Sequence, residues 1–99
     1  MNQRVVVTGL GIISPVGKTV NEFWNSLIEG KSGVDTITKF DVSDFPAKIA
    51  AEVKDFDPTD CIDRKEARRM DLSEQYAICA SEQAIKDSGL NLESIDLDR

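Results

Sequence analysis

The stretch Val5-Val6-Val7-Thr8-Gly9-Leu10-Gly11-Ile12-Ile13-Ser14-Pro15-Val16-Gly17 constrains the fold of this chain more than any other. Three consecutive valines give stiff, β-branched side chains with no polar face, a pattern that suits a strand covered on both sides. Gly9, Gly11, Pro15 and Gly17 then break regular structure. The expected element is a buried strand running into a glycine-punctuated loop, with the rest of the chain packed against it or leading away from it.

A helix follows the loop. Thr19 and Glu22 have the spacing of a capping box, in which each side chain satisfies the other residue's free backbone N–H. Val20, Phe23, Trp24, Leu27 and Ile28 then recur at helical spacing and form one apolar face. Gly30 supplies a left-handed stop. Trp24 on this stripe is expected in the core rather than as a ligand-stacking platform.

The middle of the chain is less regular. Residues 35–41 read as loop, and Asp44-Phe45-Pro46 as a turn or extended entry, because a residue before proline avoids the helical region. Residues 47–53 fit a short strand with Ile49, Ala51 and Val53 on one face. They also fit a helix through their alanines, and the strand is favoured. Pro58 suits the first position of a short helical turn. Asp63 to Met70 reads as a short helix with Asp63 as N-cap. The longest helix begins at Asp71, with Glu74 three residues on, and stops at Gly89. The apolar run Tyr76 to Ala80 predicts burial of its middle on most sides. Asn91 to Arg99 is a polar tail.

One firm strand, one weaker strand and two long helices do not close a layered domain, since a stable sheet needs three or more strands with a covered face. The expectation is the opening of a larger α/β fold, with residues 1–99 as part of one domain. The chain is 40% hydrophobic and 30% charged, in the globular range. No apolar run reaches bilayer length and no signal-peptide pattern opens the chain, so a cytoplasmic protein without membrane partners is expected. A net charge of −6 argues against non-specific nucleic-acid binding.

Three groups of residues are candidates for chemistry. Gly9-Leu10-Gly11-Ile12-Ile13-Ser14 follows a strand and invites a dinucleotide-binding reading. Ser14 stands at the third glycine position, and Pro15 and Gly17 delay the helix that the pyrophosphate needs, so a tight turn is favoured. Cys61 and Cys79 have no metal-ligand spacing. Cys79 reads as an inert packing residue, and Cys61 lies beside Asp60 and Asp63, which disfavour a thiolate. With no histidine in the chain, neither cysteine can be given an imidazole base. The third candidate is Arg64-Lys65-Glu66-Ala67-Arg68-Arg69, in an otherwise acidic chain. With Arg64 at the origin of a helical wheel, Arg68, Lys65 and Arg69 fall at about 40°, 100° and 140°. All four cations share one side, and Ala67 and Met70 point the other way. Charge pattern alone leaves two readings open: a docking site for a phosphate or acidic protein surface, and a solvated face that pairs locally with Glu66 and nearby aspartates.

The residues Arg4 to Gly11, with Ser14-Pro15-Val16-Gly17, resemble the N-terminus of the β-ketoacyl-acyl-carrier-protein synthases. Glu52-Val53-Lys54-Asp55-Phe56-Asp57-Pro58 and Asp63 through Asp71 resemble the synthase II type. The resemblance covers the whole chain but only a minor N-terminal part of a family member. It implies an α/β class, the N-terminal portion of a thiolase-like αβαβα layered fold, and usually a homodimer. It implies an acyltransferase that elongates acyl chains in fatty-acid biosynthesis by decarboxylative Claisen condensation with malonyl-carrier protein. Substrates would arrive on the phosphopantetheine of acyl carrier protein, with no cofactor of the chain's own. The family's catalytic cysteine and two histidines lie in later motifs, so no catalytic residue is expected here, and these 99 residues alone should be inactive. Lys65, Arg68 and Arg69 match positions where family members present basic side chains to acyl carrier protein, and Arg64 is adjacent. The resemblance thus favours docking over the solvated face. A polyketide ketosynthase, a chain-length-factor subunit and a stand-alone carrier-binding module are the competing readings.

Overall fold

The computed structural model describes residues 3–94. The polar tail expected over residues 91–99 therefore lies partly outside the described residues. Its described part makes a turn in which the Ser94 N–H donates to the Asn91 carbonyl at 3.2 Å.

The longest helix, α3 (Leu72–Ser88), organises the rest. Its ends form as their residues predict. The Asp71 carboxylate accepts the Glu74 N–H at 3.0 Å, and Gly89 closes the helix in the left-handed conformation, φ 68°. One face of α3, at helical spacing, carries Ala80, Gln83, Ala84, Asp87 and Ser88, and against it lies the opening stretch. The Asp87 carboxylate accepts the Leu10 N–H at 2.9 Å, and Gln83 Oε1 accepts the Ile12 N–H at 3.1 Å. A Cβ on Gly9 would strike the Ala84 carbonyl oxygen, and one on Gly11 the Ala80 carbonyl oxygen. These glycines let one backbone approach another, which accounts for them without a phosphate.

The expected strand at Val5–Val7 does not form. The three valines are 94%, 67% and 79% exposed and belong to no ladder. A strand needs a neighbour for its N–H and C=O groups. Among the described residues, the one ladder joins two segments elsewhere, and an isolated bridge pairs Ser14 with Gly17.

Helix α1 (Val20–Glu29) has the predicted limits. Thr19 Oγ1 accepts the Glu22 N–H at 3.2 Å, and Gly30 takes the left-handed cap, φ 72°. The reciprocal half of the capping box is displaced by one residue: the Glu22 carboxylate accepts the N–H of Lys18, not of Thr19, at 2.9 Å. The apolar stripe is not covered as expected. Trp24 is 60% exposed, and Leu27 and Ile28 are also exposed. The helix is held instead from a more polar side, where the Ser26 hydroxyl donates to the Val16 carbonyl at 2.7 Å.

Two short strands follow, β1 (Val34–Thr36) and β2 (Ile49–Ala51), antiparallel with Asp35 opposite Ala50. The favoured strand reading of residues 47–53 holds at its centre, with Val53 outside. β1 arises where a loop was expected, because a three-residue strand is too short to show alternation. Beyond β2, the buried Glu52 side chain gathers the intervening loop. It accepts the N–H and hydroxyl of Thr38, each at 3.0 Å, and the N–H of Lys39 at 3.3 Å. The Thr38 N–H leads in holding its carboxyl below the usual range.

The main core cluster is Ile62, Ala67 and Cys79, with Ile13, Phe56, Cys61 and Met70 against it. The Phe56 and Tyr76 rings meet edge to face at 4.9 Å. Cys61 and Cys79 are disulfide-bonded, which corrects the reading of two separate thiols. The chain between them folds back as a hairpin and brings their Cα atoms to 5.6 Å, within bridging range. The middle of α3 is covered on one side only: Cys79 is buried, and Ala77 and Ile78 are exposed. The radius of gyration is 17.3 Å, well above the roughly 13 Å of a compact domain this long. The described residues therefore form helices and a small sheet that leave apolar faces open. No described helix is long and apolar enough to cross a membrane.

Candidate functional site

The basic segment is built on a short scaffold. A 3₁₀ turn, Pro58–Asp60, opens with Asp57, whose carboxylate accepts the Thr59 hydroxyl at 2.6 Å and the Thr59 N–H at 2.9 Å. Those two bonds, the hydroxyl first, hold the Asp57 carboxyl below its ordinary range. The N–H groups of Cys61 and Ile62 both donate to the Pro58 carbonyl, which turns Ile62 into the core.

Helix α2 (Arg64–Ala67) follows. Asp63 stands at its N-cap position, as expected, but its side chain makes no capping bond. Only its carbonyl takes part, accepting the Ala67 N–H at 2.9 Å. Arg68 keeps right-handed helical geometry, φ −64° and ψ −21°, so the predicted wheel extends past the last helical residue. Ala67 is buried and Met70 packs on the core, as the spacing required. Arg64, Lys65, Arg68 and Arg69 are all exposed. Among the described residues, ion pairs join Lys31 to Glu29, Lys54 to Asp35 and Lys86 to Glu82, and none involves these four cations. Arg64 nevertheless stands near enough to Asp57 for its charge to help hold that carboxyl down, without a direct ion pair.

Two tethers fix the segment to α3. One is the Cys61–Cys79 disulfide. The other is Gln75, whose Nε2 donates to the carbonyls of Ala67 at 2.9 Å and Met70 at 3.3 Å. Sequence reasoning missed both. Gln75 precedes the apolar run that the pattern singles out, and nothing local marks an amide that reaches back across a turn.

A second concavity lies between the start of α1, the 55–61 turn and α3. Lys18, Glu22, Asp55, Asp60, Glu82 and Lys86 line it, beside the disulfide. The Lys18 ammonium donates to the Asp55 carbonyl at 2.7 Å, and Asp55 holds a left-handed backbone, φ 56°. With both cysteines bonded to each other and no histidine in the sequence, this cleft presents no free thiol and no imidazole. Among the described residues no group is arranged to hold a metal ion.

A basic, outward-facing segment thus stands on an α/β scaffold that leaves apolar faces open, as a part of a layered fold would. The chain belongs to the β-ketoacyl synthase family, whose N-terminal domain matches residues 2–99, and its fold is thiolase-like. It is 50% identical over 97% of its length to a 3-oxoacyl-[acyl-carrier-protein] synthase 2 of Synechocystis sp., and 48% identical over 98% to the protein of that name from Coxiella burnetii. It spans 23% of the length of each. Among solved structures it matches the ishigamide ketosynthase/chain length factor with a TM-score of 0.81 and 38% identity, over 91% of this chain and 22% of that one. It also matches a chain of a type II PKS acyl-carrier protein in complex with its ketosynthase, with a TM-score of 0.72 and 29% identity, over 97% of this chain and 25% of that one.

Proposed function

We propose that this chain is the N-terminal part of a 3-oxoacyl-acyl-carrier-protein synthase 2, and that it supplies scaffold and a carrier-protein docking element. The observation that carries the reading is the high identity, over nearly the whole chain, to enzymes of that name. In the whole enzyme an acyl group moves from acyl carrier protein to a cysteine outside these residues, and the carbanion from malonyl-carrier protein attacks the thioester. No atom of the present chain enters that chemistry. Substrates come on the carrier's phosphopantetheine and need no cofactor held by these residues. The whole enzyme works as a homodimer in the cytoplasm.

Docking rests on Lys65, Arg68 and Arg69, with Arg64 beside them. Four exposed cations within one and a half turns create a local positive field on a chain of net charge −6. Such a field speeds encounter with an acidic partner and orients it. The structural likeness to ketosynthase/chain-length-factor assemblies favours a polyketide-type subunit as a second reading, but at lower identity than the synthase 2 relatives. The test is carrier-protein affinity of the intact enzyme, wild type against Lys65→Ala/Arg68→Ala/Arg69→Ala, at about 50 and 300 mM salt. The expected result is a loss of about tenfold or more at low salt and a flattened salt dependence. Unchanged affinity overturns the docking assignment.

A further inference from the structure

We infer that Gln75 is a positioning residue for the docking surface: its side-chain amide, projecting from α3, sets where Arg68 and Arg69 stand. The inference rests on the docking role proposed above and adds an uncharged residue that acts through the backbone of the segment.

The geometry is specific. The two hydrogens of one amide go to two carbonyls, Ala67 at 2.9 Å and Met70 at 3.3 Å. Those carbonyls lie immediately before and after the dipeptide Arg68-Arg69, so one side chain brackets both guanidinium-bearing residues. The segment needs such a bracket. Helix α2 has four residues and no side-chain N-cap, and an isolated helix of that length has no stability of its own. Its final carbonyls are orphans of the kind that a helix end must satisfy from outside. The Ala67 carbonyl receives the Met70 N–H at 3.2 Å and the Gln75 amide, which closes the turn and ties it to a long helix in the same step. Gln75 is partly buried, while Arg68 and Arg69 are exposed, so the amide works from behind the surface that a partner would meet. The disulfide holds the start of the hairpin at Cys61, leaving Gln75 as the side-chain tether at its far end. Without it, the arginines keep their charge and lose their fixed position. Long-range attraction would survive, and the close, oriented complex would weaken.

A double-mutant cycle in the intact enzyme tests this. Gln75→Met keeps length and removes both donors. Holo acyl carrier protein is the probe, and its dissociation constant and association rate are measured. The expected result is about three- to tenfold weaker binding, carried by faster dissociation, with the association rate and its salt dependence close to wild type. In an Arg68→Ala/Arg69→Ala background the same substitution should change affinity by less than about twofold, because nothing remains to position. A purely structural role would lower the melting temperature in both backgrounds and show no such coupling. Equal effects of Gln75→Met in the two backgrounds, or no effect in the wild-type background, overturn the inference. If the arginine substitutions themselves leave affinity unchanged, the docking reading fails instead. Should Gln75→Met fail to fold, Gln75→Asn, which withdraws the amide by one methylene, enters the same cycle with the same criteria.

Discussion

Asp87 of α3 accepts the backbone N–H of Leu10 at 2.9 Å, joining residues 77 positions apart. One turn earlier, Gln83 does the same for Ile12 and in addition donates through Nε2 to the Lys18 carbonyl at 2.6 Å. Side chains of one helix thus do for the opening stretch what a neighbouring strand would otherwise do. They pair its backbone groups and hold it at close range.

Removing the two-ended partner should therefore cost more than softening the single one. In the intact protein, Gln83→Leu leaves the Ile12 N–H and the Lys18 carbonyl unpaired in a partly buried place. The expected loss is about 1–3 kcal/mol of unfolding free energy, read as a lower urea midpoint at unchanged slope. Asp87→Asn keeps an oxygen acceptor at an exposed site and should cost less than half as much. An equal or larger loss for Asp87→Asn would contradict the pairing described.

The contact glycines give a second expectation. Gly11→Ala places a methyl against the Ala80 carbonyl oxygen, and relief requires the loop or helix backbone to move. A destabilisation of about 1–3 kcal/mol is expected by chemical denaturation. Ala80→Gly should not rescue it, because the obstruction is backbone. Gly30→Ala meets nothing within 4 Å, yet φ 72° makes it strained, so it should cost about 1 kcal/mol for a different reason.

These two glycine classes show what the sequence can and cannot reveal. Gly30 and Gly89 follow an amphipathic or capped run, and their role as helix stops is a local matter that spacing discloses. Gly9 and Gly11 follow three valines and suggest a phosphate loop or a tight turn. Their actual reason is an α3 backbone some 70 residues away, which no local pattern contains. The basic segment divides in the same way. Its inward Ala67 and outward cations follow from helical angles, whereas Gln75 and the Cys61–Cys79 pair depend on how a hairpin returns to α3. Trp24 and the valines mislead because apolar pattern predicts which face seeks cover, and the described residues do not provide that cover.

Acid should loosen the molecule through a defined set of carboxylates. The Asp71 carboxyl is held below the usual range by the Glu74 N–H and then the Ser73 hydroxyl, Glu52 by Thr38, and Asp57 by the Thr59 hydroxyl. A carboxyl with a lower folded than unfolded pKa contributes stability above the ordinary carboxylate range. That contribution fades as pH falls through the ordinary range to the folded values. Stability of the intact protein should thus be flat near neutrality and fall below about pH 4.5. Asp71→Asn should be less stable than wild type at pH 7 and closer to it at about pH 3. Parallel pH curves for the two proteins would remove Asp71 from the set.

The disulfide makes the last prediction, and it concerns the hairpin that carries the cations. Cys61 and Cys79 are 18 residues apart, and closing a loop of that length restricts the unfolded chain by an amount worth about 3 kcal/mol. The loop contains α2 and all four basic residues, so reduction should free their segment before it affects the caps of α1 or the β1–β2 ladder. Hydrogen exchange of the intact protein with and without dithiothreitol provides the measurement. Amides of residues 62–70 should exchange faster on reduction, while those of residues 20–30 stay as they were. Cys61→Ser should reproduce the reduced pattern and abolish the response to reductant. Exchange that rises equally in both regions would mean that the bridge holds the whole molecule rather than the hairpin. Exchange that does not change would mean that the core contacts of Ile62, Ala67 and Met70, with the Gln75 amide, suffice to hold the hairpin without it.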